Sequence, residues 1–193
     1  MQMKKYLTIL ICILTTTFCY AQDAPHLKFK GIPLTGTATS FVEKLKSKGL
    51  TYLGESKGIV LLKGDFAGFK DCTIGVSTFE SSDQVCKVTA IFPQRETWGT
   101  ITDDYNNLKS LLVDKYGTPE VSETFSGIEP YSDFTKFYAL LNDECNFLST
   151  FHVEGGDIQL TMRKMDNKKA SVILNYLDKV NGEIVKKKAI DDL

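Results

Sequence analysis

Between Gly58 and Phe92 the chain reads GIVLLKGDFAGFKDCTIGVSTFESSDQVCKVTAIF, three apolar runs broken by two polar turn signals. Runs of this length bounded by turn residues predict successive antiparallel strands, and such a meander must bury one of its faces against another layer. From Cys72 onward, Cys72, Ile74 and Val76 alternate with Thr73, Gly75 and Ser77, the period of two of a half-buried strand. After the turn Glu80-Ser81-Ser82-Asp83, Cys86, Val88, Ala90 and Phe92 fall on one side and Val85, Lys87, Thr89 and Ile91 on the other. Upstream, the apolar run Ile59–Leu62 leads into Gly64-Asp65-Phe66-Ala67-Gly68-Phe69-Lys70, whose glycines flank a predicted hairpin tip.

The first 21 residues, MQMKKYLTILICILTTTFCYA, have the layout of a secretory signal: Lys4 and Lys5, an apolar run from Tyr6 to Phe18, then small Ala21. The apolar run is short for a bilayer span, so cleavage after Ala21 and a periplasmic or secreted mature chain are expected. The whole chain carries 23 Lys and Arg against 24 Asp and Glu. The leader holds Lys4 and Lys5 and no acid, so the mature net charge is −3, a balance that does not point to nucleic acid. Residues 22–193 are expected to form one domain with no further membrane span. The mature chain keeps Cys72, Cys86 and Cys145, an odd number. They read as small buried apolar residues, with a bond from Cys145 to either of the others left open.

Two helices are expected. The first spans roughly 37–48, with Ser40 and Glu43 at capping-box spacing, Thr37 as an alternative cap and Gly49 as the stop. In the second, Trp98, Ile101, Tyr105, Leu108, Leu111, Leu112 and Tyr116 recur at three- and four-residue steps before Gly117 and Pro119. This stripe reads as the face packed on the sheet, with Trp98 a packing residue or a lid. Further strands are expected at Lys136–Leu141, Cys145–Val153, Ile158–Met162 and Ser171–Leu177, with a last turn at Asn181-Gly182. The fold expected is α+β: a helix and a four-stranded antiparallel meander, twice over (about 29–93 and 94–178), with the helices on one sheet face.

The segment Phe29-Lys30-Gly31-Ile32-Pro33-Leu34-x-Gly36, the helix end Lys46-Ser47-Lys48-Gly49, the hairpin Gly64-Asp65-Phe66-x-Gly68 and the closing Asn181-Gly182 resemble a large group of exported bacterial proteins of unknown function. The expected architecture is also similar to the tandem fold of the beta-lactamase inhibitor protein, a likeness of topology alone. The resemblance implies export and this architecture, and it brings no catalytic motif.

No G-x-S-x-G, Walker loop, EF-hand series or C-x-x-C is present, and His26 and His152 have no ligand-type neighbour at metal spacing, so neither metal nor cofactor is expected. His26 reads as part of a flexible start, and His152 as facing water. A Cys145–His152 dyad is opposed by their odd spacing on one strand. Two functional classes remain. One is a binding module for a protein or small ligand, using the wet sheet face or the hairpin tip, with Phe66, Phe69, Tyr52, Phe79 and Tyr138 as aromatic anchors. The other is a hydrolase assembled from Asp65, Asp71 and His152. An envelope structural or assembly role is not separable from the first.

Overall fold

The computed structural model describes residues 25–79, 82–127 and 131–191. The expected leader, its cleavage point and Glu80-Ser81 of the expected turn therefore lie outside the described residues. The fold is α+β. Two short strands, β1 (Lys28–Phe29) and β2 (Ile32–Pro33), form a hairpin, and helix α1 (Ala38–Ser47) follows. Then come β3 (Thr51–Ser56), β4 (Ile59–Phe66), β5 (Phe69–Phe79) and β6 (Ser82–Ile91). Helix α2 (Trp98–Tyr116), β7 (Glu120–Phe125), α3 (Asp133–Leu141), β8 (Cys145–Val153), β9 (Gly156–Lys164), β10 (Ala170–Asp178) and α4 (Lys179–Asp191) complete the chain.

All strands but the first two belong to one antiparallel sheet of eight, in the order β3-β4-β5-β6-β10-β9-β8-β7. Two meanders meet where β6 pairs with β10, Ala90 opposite Leu174. One row of paired residues crosses the whole sheet: Tyr52, Leu62, Ile74, Ala90, Leu174, Leu160, Ser149 and Val121. Its six inner members are at most 1% exposed, whereas Tyr52 and Val121 on the edge strands are 50% and 45% exposed. The helix layer thus seals the six central strands on this face and leaves both edges open: α1 lies on β5 and β6, and α2 with α3 on β8, β9 and β10.

Each helix forms for local reasons. Thr37, not Ser40, caps α1, its hydroxyl accepting from the Ser40 amide, and Phe41, Val42 and Leu45 point inward. Thr97 caps α2, which buries Trp98, Ile101, Tyr105, Leu108 and Leu112, each side chain contributing about 1.5–3 kcal/mol of apolar burial. Leu111, expected in that stripe, is 49% exposed, because the contact is narrower than the run of apolar residues. Trp98 is a packing residue, its ring 5.3 Å from that of Phe147 and 5.7 Å from that of Phe125.

Three expectations fail. Lys136–Leu141 is helical, not a strand: Ser132 and Thr135 form a reciprocal cap, and Phe137 and Leu140, three apart, face the core. The strand that pairs with β8 is instead the polar segment Glu120–Phe125, whose weak apolar pattern is that of an edge. Asn181-Gly182 is not a turn but the first turn of α4, where Asp178 accepts from the Asn181 amide at 2.9 Å, as an N-cap does.

Between β5 and β6 the register also differs. Val76 pairs with Val88, and a bulge makes Cys86 the extra residue between Lys87, opposite Ser77, and Val85, opposite Thr78. Val85 therefore takes the core position expected for Cys86, and the Cys86 thiol is only partly buried. All three described cysteines are free. No described helix is long and apolar enough to cross a membrane.

Candidate functional site

On the other side of the sheet, among the described residues, the one helix in contact is α4, which reaches β6 and β9 at one end of the face. One row of this face runs Gly54, Leu61, Gly75, Thr89, Asn175, Gln159, Thr150, Glu120. The next runs Thr51, Lys63, Thr73, Ile91, Ile173, Thr161, Leu148, Ser122. The first row is mainly amide and hydroxyl, the second mixes aliphatic with β-hydroxyl side chains, and neither carries a block of one charge; Thr150 and Thr161 are buried between larger neighbours. At its centre the Thr89 hydroxyl donates to the Asn175 carbonyl oxygen at 2.8 Å, which holds both side chains in place across β6 and β10. Seven interstrand steps make the face about 34 Å wide.

At one end, the row Ile59, Ser77, Lys87, Leu177, Asp157, His152 reaches the start of α4. His152 Nδ1 lies 2.8 Å from Asp157, its Nε2 lies 3.3 Å from Glu120, and the Lys179 ammonium donates to Asp157 at 2.9 Å. Burial pushes the Asp157 carboxyl up, but its bonds to Lys179 and His152 outweigh this and hold it below the usual value. The bonds to Asp157 and then Glu120 raise His152 above the ordinary imidazole value. The cluster ties edge strand β7 to β8, β9 and α4. Its ring faces water while Cys145, on the same strand, is buried on the helix side, so these two form no dyad.

His26 is not in a flexible start. Its Nδ1 sits 3.2 Å from Asp178, which also accepts the buried Leu27 amide at 3.0 Å. The Asn181 side-chain amide donates to the Leu34 and Val85 carbonyls, each at 2.8 Å, fastening α4 to the ends of β2 and β6.

The five aromatic candidates do not converge. Phe66 and Phe69 flank the expected hairpin tip, but both are half-buried: Phe66 lies 4.7 Å from Phe29 and Phe69 lies 5.0 Å from Phe92, ring to ring. Tyr52 lines a shallow groove of about 330 Å³ with Glu43 and Lys46 of α1. Phe79 stands at the far end of β5 beside α4. Tyr138 is on α3, not on a strand, and with Phe134 and Tyr131 it forms an exposed aromatic group (60%, 80% and 93%). That group escapes a strand reading of 136–141, although the i, i+4 spacing of Phe134 and Tyr138 signals a shared helix face.

Asp65 and Asp71 adjoin across the β4–β5 hairpin, where the Asp71 amide donates to Asp65 at 3.3 Å and Lys63 pairs with Asp71 at 2.9 Å. Four interstrand steps separate β5 from β8, about 19 Å, so His152 does not meet these carboxylates. Burial pushes the Cys72 and Cys145 thiols each up to about 11 and the Cys86 thiol above its ordinary value, which disfavours the nucleophilic thiolate at all three. Among the described residues no group of three or more His, Cys, Asp or Glu is placed to hold a metal ion. No family model, curated protein or solved structure matches the chain.

Proposed function

We propose that the protein is an exported, non-catalytic binding protein that presents the sheet face opposite α1, α2 and α3 to a protein partner. The observation that supports this reading is the asymmetry of the eight-stranded sheet, sealed by helices on one side and left uncovered over its central rows on the other. With strands of nine residues, such as β10, the face measures about 34 by 30 Å, on the order of 1,000 Å². A specific interface needs about 800 Å² per partner. Its composition suits recognition: Leu61, Ile91, Ile173 and Leu148 supply apolar contact, and Thr89, Asn175 and Gln159 supply hydrogen-bonding groups between them. The Thr89–Asn175 bond fixes two of those groups before any partner arrives, which lowers the ordering cost of binding. The leader and the resemblance to exported bacterial proteins support a periplasmic or secreted setting, where a partner would be sought.

Affinity capture from an envelope fraction tests the reading. Wild type recovers a partner, a Thr89→Arg, Ile173→Arg variant does not, and Leu111→Arg on the helix side behaves as wild type. Equal recovery by the face variant and by wild type refutes the proposal.

A further inference from the structure

Beyond the sheet face as a protein-binding surface, one groove has chemistry of its own. It has a volume of about 430 Å³ and lies where α4 passes the ends of β5, β6 and β10. Phe79, Cys86 and Leu177, all half-buried, make an apolar floor. The wall is one face of α4, Lys179, Gly182, Glu183 and Lys186, at three- and four-residue spacing. Gly182 opens the space, since a Cβ added there meets only Phe79, at 3.9 Å. Lys87 stands at the rim opposite the helix.

The charges around this floor are uneven. Lys179 is engaged by Asp157 at 2.9 Å, and Asp178 is turned inward to His26 and to the Leu27 and Asn181 amides. Among the described residues, Lys87 and Lys186 have no acidic partner within ion-pair distance, which leaves two ammonium groups against Glu183 beside an apolar trough. An apolar chain ending in a cation would meet these amines unfavourably, and a neutral one would leave them unused. A chain ending in an anion satisfies floor and rim together.

We infer that this groove binds a free long-chain carboxylate, its hydrocarbon on Phe79, Cys86 and Leu177 and its head group between Lys87 and Lys186. The site lies at the end of the open face and does not depend on the sheet's central rows for its chemistry. It also carries its own reporter: Cys86 is partly buried and lines the floor, while Cys72 and Cys145 are buried at 0% and 8% exposure.

The test measures iodoacetamide alkylation of each thiol in the mature protein by mass spectrometry, with dodecanoate or dodecyltrimethylammonium below their micellar concentrations, alongside calorimetric titration of the same probes. Dodecanoate is expected to slow Cys86 alkylation several-fold, with dodecyltrimethylammonium having little effect. Lys87→Glu with Lys186→Glu weakens dodecanoate about tenfold or more. Gly182→Leu, which fills the trough and suits a helix better than glycine, abolishes the heat of binding with a urea midpoint no lower than that of wild type. Equal protection by the cationic probe, no protection by dodecanoate, or undiminished binding by Gly182→Leu overturns the inference.

Discussion

Replacing Asp178 with alanine tests how the last helix is held. The side chain is fully buried and its carboxylate accepts from two backbone amides, Leu27 at 3.0 Å and Asn181 at 2.9 Å, and lies 3.2 Å from His26 Nδ1. Loss of an N-cap costs about 0.5–2 kcal/mol. Leaving the buried Leu27 amide without an acceptor adds about 1–3 kcal/mol. Together Asp178→Ala is expected to cost about 2–4 kcal/mol. Asp178→Asn keeps one acceptor oxygen and remains a good cap, so it loses about half as much. In urea unfolding, with a slope of about 2 kcal/mol/M, the alanine midpoint falls by about 1–2 M with the slope unchanged. Hydrogen exchange in α4 rises before that in β10, because the cap is lost first. An alanine variant with the wild-type midpoint, or an asparagine variant as unstable as alanine, would refute this account of α4.

Other residues make separate predictions. The Tyr105 hydroxyl meets Ser149 at 2.7 Å between α2 and β8, and burial pushes that phenol up to about 12; Tyr105→Phe should cost about 1–2 kcal/mol, and a Tyr105→Phe, Ser149→Ala double variant less than the sum of the singles, as read by a double-mutant cycle. Because the folded His152 value is raised, the interaction that fastens β7 is present below the ordinary imidazole range and is lost as pH rises through the folded value; an NMR titration should place the His152 midpoint above that of a model imidazole and find it lowered in Asp157→Asn. A Cβ on Gly156 would fall on the Leu177 carbonyl oxygen and close against Leu27, so Gly156→Ala should destabilise by about 2–4 kcal/mol in the same urea assay. Amino-terminal sequencing of exported protein should begin at Gln22.

The reach of the sequence follows from what each element depends on. Strands β5, β8, β9 and β10 and helix α2 have strong periods because one face of each is buried against many neighbours. Edge strand β7 buries little, so EVSETF carries almost no pattern, and it is determined mainly by pairing with β8 and by the contact of Phe125 with Trp98. In α3 the apolar run Phe137–Leu141 looks like a strand unless the Ser132–Thr135 cap is weighed, and missing that cap also hides the exposed group Tyr131, Phe134 and Tyr138. Asn181-Gly182 matches a turn dipeptide, yet Asn181 is there to reach two carbonyls and Gly182 to leave space beside Phe79. The Cys86 bulge shifts one core position, and alternation alone cannot register an inserted residue. The hairpin aromatics Phe66 and Phe69 were legible as a pair but not as packing around Phe29 and Phe92, which are distant in sequence. Spacing shows a wet face on single strands but not which residues meet across it, since its rows draw on eight separate strands.

The most direct measurement of the central claim is site-specific photocrosslinking in the envelope, with a benzophenone side chain placed at Gln159 on the open face or at Leu111 on the exposed side of α2. The account predicts a discrete crosslinked species from position 159 and none from position 111. A species from 111 alone, or the same species from both, would contradict it.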